Sequence, residues 1–165
     1  MKKTFKGALA LTFCVVTVFA TMLIASAISA PKAKVKSVTY NSVTITWSEV
    51  KGADGGYQVQ RSTDGKKWTT LTSSTKSTSY TDKKLTTGKT YRYRVRAIDK
   101  GLLRSTYSSW SSVVKGKPVP AKVKTVKSSP TKNSVKLSWS KVSGASGYVV
   151  QRYSNKKWTT YKTTT

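Results

Sequence analysis

The chain has 165 residues, with 31 Lys and Arg against 5 Asp and Glu and a formal net charge of +26. It contains no histidine, one cysteine and a single glutamate, Glu49. No acid–base pair, His-activated nucleophile or zinc cluster can be assembled from that set, so catalysis by this chain alone is not expected and no cofactor or metal is implied.

The first predicted element is a helical secretory signal peptide over residues 1–27. Lys2, Lys3 and Lys6 form a basic leader, the run from Ala8 to Ile24 carries no charge, and Ala25-Ser26-Ala27 offers a small-residue cleavage site. The competing reading is an uncleaved anchor, since the run approaches the roughly 20 residues that span a bilayer. Membrane contact is expected only through this segment, if it is kept. Either way the lysines stay inside and the remainder lies outside, secreted or on the cell surface. Cys14 sits mid-run behind Phe13, where lipoprotein processing would need a small residue. The exported part therefore folds without a disulfide, and its cohesion must come from packing. Without the three leader lysines, 28 basic residues face 5 acids, a net +23.

From Val35 onward, short segments alternate with period two between Gly, Asn, Asp and Ser breaks, which predicts antiparallel strands. Residues 34–38 read as the first strand. Ser42–Trp47 is the second, with Val43, Ile45 and Trp47 on one face. A Gly-rich loop, 50–56, leads to Tyr57–Arg61, and Asp64-Gly65 reads as a tight turn into Trp68–Leu71. Ser79–Thr81 is a short strand. In Tyr91–Ala97, Tyr91, Tyr93, Val95 and Ala97 face one way and Arg92, Arg94 and Arg96 the other. A loop holding Leu102 and Leu103 precedes a last strand, Trp110–Val114. Seven strands in residues 31–117 fit one sandwich domain.

Lys115–Lys122 follows, with Pro118 and Pro120, and is expected to be a stiff spacer. Lys115, Lys117, Lys122 and Lys124 crowd this junction. The pattern from Ser42 then returns from Ser134: Trp139, Tyr148, Arg152 and Trp158 answer to Trp47, Tyr57, Arg61 and Trp68. A period of roughly 90 residues suits a repeated β domain rather than a solenoid. All five acids lie in the first repeat, and residues 118–165 contain none. This second unit, 118–165, is incomplete, with no counterpart of Tyr80, Leu85, Tyr91 or Trp110. Half a sandwich exposes an apolar face and open edges. It is expected to be loosely held, and either to belong to a longer array with further modules or domains beyond Thr165 or to be completed by another molecule.

These motifs resemble the fibronectin type III family, in the form found in exported bacterial proteins. They are Trp47 on the second strand, Gly52-Ala53-Asp54-Gly55-Gly56-Tyr57-Gln58-Val59 leading into the third, and Leu85-Thr86-Thr87-Gly88-Lys89-Thr90-Tyr91. The resemblance implies an all-β, immunoglobulin-like antiparallel sandwich in tandem. It also implies a buried Leu85 beneath a corner Tyr91 whose hydroxyl bonds back to the backbone. The family's Arg-Gly-Asp adhesion tripeptide is absent: the loop reads Asp99-Lys100-Gly101-Leu102-Leu103-Arg104.

Three groups are candidate binding residues. Arg92, Arg94 and Arg96 beside Trp110 would make a cation–π ladder, and Tyr107–Ser111 is similar to the Trp-Ser-x-Trp-Ser box of cytokine-receptor type III modules. Such a ladder is either structural or a basic, aromatic face for anionic glycans. Leu102 and Leu103 at a loop tip are either contact residues or fold back over the core. Lys115, Lys117, Lys122 and Lys124 form a cationic junction, whereas Lys32, Lys34 and Lys36 suit a guarded edge strand. Trp68 and Trp158 could offer flat surfaces to sugars, but their recurrence after a turn favours packing.

The expected function is a non-catalytic exported surface or cell-wall protein whose modules act as adhesive or spacer, with electrostatic affinity for an anionic cell-wall polymer or polysaccharide. The alternative is the N-terminal accessory region of a larger secreted polysaccharide- or cell-wall-degrading enzyme. No motif supports specific nucleic-acid binding, and export argues against it.

Overall fold

A computed structural model describes residues 28–165. The predicted signal peptide, with Cys14 inside it, lies outside the described residues. Among the described residues there is no helix, and so none long and apolar enough to cross a membrane.

The first repeat forms two facing sheets. β1 (Ala33–Val38), β2 (Val43–Trp47) and β5 (Ser79–Asp82) make one, in the order β1-β2-β5. β3 (Gly56–Ser62), β4 (Thr69–Thr75), β6 (Tyr91–Lys100), β7 (Ser105–Tyr107) and β8 (Val114–Gly116) make the other, in the order β4-β3-β6-β7 with β8 also on β6. Every pairing is antiparallel.

Period-two alternation drops one face of each strand into a single core. Val43, Ile45 and Trp47 of β2 meet Tyr57 and Val59 of β3 and Tyr91, Tyr93, Val95 and Ala97 of β6. Trp47 packs edge-on to Tyr57 at 5.6 Å between ring centroids, an arrangement favoured by ring quadrupoles. The Tyr57 hydroxyl accepts the Val50 N–H at 2.9 Å, so this buried phenol is satisfied. Leu85 is buried in the same core, and the Tyr91 hydroxyl accepts the Thr86 N–H at 3.1 Å, as the resemblance implies. At Gly116 an added Cβ would sit 2.6 Å from Val43 Cγ1, so only glycine lets β8 close over the core.

Two strand expectations are corrected. The last strand, expected over 110–114, is split into β7 and β8, and residues 108–113 form no strand. There Ser108 and Ser111 donate their N–H groups to Ala97 O and Val95 O, but the return bonds from Ala97 N and Val95 N go to the serine hydroxyls, at 2.9 and 3.1 Å. Side-chain oxygens replace the carbonyls of a regular ladder, so the segment follows β6 without being a strand. Asp64-Gly65 is also not a two-residue turn, because β3 ends at Ser62 and β4 begins at Thr69. The Asp64 carboxylate instead organises a longer loop, accepting from Lys66 N, Lys67 N and the Ser62 hydroxyl. Those bonds hold its pKa down at about 2.

Pro118, read as spacer, is fully buried, and its carbonyl accepts the Gly88 N–H at 2.7 Å. Val119 N donates to Thr39 O, so the start of the junction is docked on the first sandwich.

The second repeat forms two hairpins, β9 (Val126–Pro130) with β10 (Val135–Trp139) and β11 (Tyr148–Ser154) with β12 (Lys157–Thr164). It reproduces the first repeat in detail. Trp139 and Tyr148 lie 5.3 Å apart and edge-on, and the Tyr148 hydroxyl accepts Val142 N at 2.7 Å. The β11–β12 turn is tighter than its counterpart, with Asn155 and Lys156 both at positive φ. With no counterparts of β5 and β6 among the described residues, the apolar face stays open: Val135 is 63% and Tyr161 72% exposed.

Candidate functional site

The alternation that buries Val95 and Ala97 projects Arg94 and Arg96 onto the outer face of the larger sheet, where they are half-buried. The β3–β6 register sets Gln60 opposite Arg94 and Gln58 opposite Arg96. The amide oxygens accept from the guanidinium groups: Arg94 Nε and Nη2 bond Gln60 Oε1 at 2.9 and 2.7 Å, and Arg96 Nε bonds Gln58 Oε1 at 2.8 Å. Both guanidinium groups are thereby held over aromatic rings. Arg94 lies 4.2 Å from the Trp68 centroid and 4.3 Å from that of Trp110, while Arg96 lies 4.6 Å from Trp110 and 3.8 Å from Tyr107. The result is a five-member stack, Trp68–Arg94–Trp110–Arg96–Tyr107. Burial, and then the adjacent Arg96 charge, lower the Arg94 pKa, though an arginine remains charged.

Arg92 is outside the stack. Its Nη1 donates to Thr63 O at 2.7 Å and closes the Asp64 loop. Trp68, expected to pack, does so as the first ring of the ladder, on the outer face of the sheet. Its counterpart Trp158, also expected to pack, is 62% exposed and tilted against Tyr153 at 5.2 Å. The 165 residues offer Trp158 no equivalent of Arg94 to stack upon. Sequence reasoning missed Gln58 and Gln60 and did not join Trp68 to the ladder. The signal was there in part: on β3 the glutamines alternate with Tyr57 and Val59, which puts them on the arginine face once β3 is paired with β6.

Leu102 and Leu103 occupy the four-residue connection between β6 and β7. They are 101% and 96% exposed, so the fold-back alternative is corrected: neither covers the core. The tip lies at the same end of the sandwich as the 48–55 loop and the turn before β5, since Gly56 pairs with Ile98 and Thr46 with Ser79. Ladder and tip are separate features.

Lys115 lies on β8 opposite Arg92, and Lys117, Lys122 and Lys124 follow along the junction, all four exposed. Among the described residues one ion pair is present, Arg61 with Asp82, at 3.1 Å. Asp82 also accepts the Tyr93 hydroxyl at 3.0 Å. The junction lysines therefore present their charge to solvent without a carboxylate partner. Among the described residues no three His, Cys, Asp or Glu side chains converge as metal ligands would.

Comparison with known proteins places this geometry in a family. No curated protein matches the chain. Among solved structures it is similar to a β-1,2-glucanase from Parabacteroides distasonis, 26% identical over 59% of this chain and 14% of that one, with a TM-score of 0.51. It is also similar to an Fn3-like protein from Clostridium thermocellum, 31% identical over 55% of this chain and 91% of that one, TM-score 0.44. A third is the fn3 domain of the human collagen α-1(XX) chain, 17% identical over 59% of this chain and 91% of that one, TM-score 0.47. The chain thus spans only a small part of the glucanase's length. The family model for the fibronectin type III domain matches residues 29–114, just over half of the sequence. With its two-sheet sandwich and its corner tyrosine, the chain belongs to the fibronectin type III family.

Proposed function

We propose that this chain is a non-catalytic, exported surface or cell-wall protein whose fibronectin type III modules serve as adhesive or spacer units, held to anionic polymers by charge. Domains of this family are generally non-catalytic modules. The observation that carries the reading is the unneutralised cationic junction. Lys115, Lys117, Lys122 and Lys124 are all exposed, and no acid occurs between Pro118 and Thr165. Closely spaced charges keep their effect at physiological ionic strength, where screening acts within about 8 Å. The proposed arrangement is a signal peptide at 1–27, a module at 31–117 and a partial module at 118–165.

The test is retention of the protein on cell walls bearing teichoic acid as salt is raised. Counterion release predicts a steep, linear fall of log affinity with log salt, and replacing the four lysines by Glu should flatten the slope by roughly 0.7–0.9 per lost contact. Retention that survives both high salt and charge reversal would refute the electrostatic account. It would point to a specific sugar site, for which the arginine–aromatic face is the candidate.

A second reading, that the chain is an accessory region of a secreted polysaccharide-degrading enzyme, is favoured by the likeness to part of a β-1,2-glucanase. It predicts salt-insensitive binding competed by one free glycan.

A further inference from the structure

We propose that the Leu102–Leu103 loop is a lipid-contact tip, which seats the first module end-on against an anionic membrane surface. Two adjacent leucines with essentially all their side-chain area in water are costly on an exported protein, and exposed apolar groups of this kind mark interaction sites. The tip contributes no residue to the cleft lined by Glu49, Val50, Lys51 and Lys76 at the same end of the sandwich. It is flanked by exposed Lys100 and Arg104, whose long side chains can lie along an interface while the leucines enter it.

The same end of the sandwich carries exposed Lys32, Lys51 and Lys76. Its acids are Glu49, Asp54 and Asp99, so cations outnumber carboxylates and the end is complementary to an anionic headgroup layer. The course of the chain gives an independent argument. Ile28 reaches the 48–55 loop, where an added Cβ at Gly52 would lie 3.3 Å from Ile28 Cγ2. β1 then starts at Ala33, opposite Trp47 at the end of β2. The chain therefore enters the module at the leucine end and leaves past Gly116 and Pro118 at the other. The uncharged run Ala8–Ile24 lies only a few residues before Ile28 in sequence. As long as the chain stays joined to that run during export, its leucine tip and its entering strand face the same surface. The proposal rests on the export reading but not on polymer binding.

The full chain, with Cys14→Ser and Leu102→Cys, is labelled at residue 102 with an environment-sensitive nitrobenzoxadiazole probe and mixed with phosphatidylglycerol vesicles. The expected result is a blue shift with a several-fold gain in emission, quenched by lipid-borne nitroxide. The same probe at Asn133→Cys, on the remote β9–β10 turn, should not respond. Leu103→Asp, or Lys100→Glu with Arg104→Glu, should abolish most of the signal at residue 102. Phosphatidylcholine vesicles should give little response. A probe at 102 that reads water on bound vesicles, or that responds equally on both lipids, overturns the proposal. Shielding by a lipid-free extract of surface proteins, without shielding by vesicles, would assign the loop to a protein partner and also overturn it. Salt-sensitive retention on walls is read separately, so loss of one result leaves the other standing.

Discussion

Arg94→Ala tests the ladder directly. Arg94 is held between Trp68 at 4.2 Å and Trp110 at 4.3 Å, and it donates twice to Gln60. Two cation–π contacts contribute about 0.5–1 kcal/mol each at exposed sites. A hydrogen bond from a charged donor adds about 1.5 kcal/mol at the low end of its range, appropriate because water can replace part of it here. The expected loss is about 2.5–3.5 kcal/mol, and Arg92→Ala, which gives up only one charged-donor bond, to Thr63 O, should cost about 1.5 kcal/mol or less. For a module of this size a loss of 2 kcal/mol lowers Tm by roughly 8–16 °C. The assay is thermal and urea unfolding of the full chain carrying Arg94→Ala, Trp110→Ala and the pair. A double-mutant cycle should return a coupling of about 0.5–1 kcal/mol. The reasoning is refuted if Arg94→Ala costs no more than Arg92→Ala, or if its coupling to Trp110 is zero.

Two further outcomes follow from the core. Trp47→Ala, which deletes a ring 5% exposed beneath both sheets, should cost about 3–5 kcal/mol and leave little folded module, as loss of the cooperative urea transition would show. Burial, and then the adjacent Asp82 carboxylate, raise the Tyr93 pKa far above its ordinary value of 10.0. The folded state holds that proton more tightly than the unfolded chain does. This contribution is therefore complete below about pH 10 and is lost as the pH rises beyond it. Urea midpoints measured through that range should fall for the parent chain and fall less for Tyr93→Phe.

What was legible in the sequence was whatever a local pattern encodes. Alternation in Val43–Trp47 and Tyr91–Ala97 is enough to sort core from surface, because a strand's side chains must take opposite faces. The glycines and the Leu85–Tyr91 motif marked the turns. The ladder was only half legible: its arginines lie on one strand, but Trp68, Gln58 and Gln60 come from β3 and the loop after it. Their membership depends on a cross-strand register that no single segment records. The Trp158 expectation failed for a related reason, since the same residue after the same kind of turn is buttressed in one repeat and bare in the other. The split of the last strand was hidden because Ser108 and Ser111 read as ordinary outward polar positions. Only the facing N–H groups of Val95 and Ala97 reveal their role as acceptors.

That serine-stitched segment has a consequence for how such modules coexist. The outer margin of a sheet is a template for any extended chain that drifts against it, and in a tandem array the nearest stranger is a neighbour of related sequence. Repeat proteins characteristically misassemble by exchanging strands between such neighbours. Along Ser108–Val113 the margin is not in strand conformation and cannot offer a regular row of donors and acceptors to an invader. Hydroxyls that complete β6 from within leave a strand from a related unit no such row to pair with.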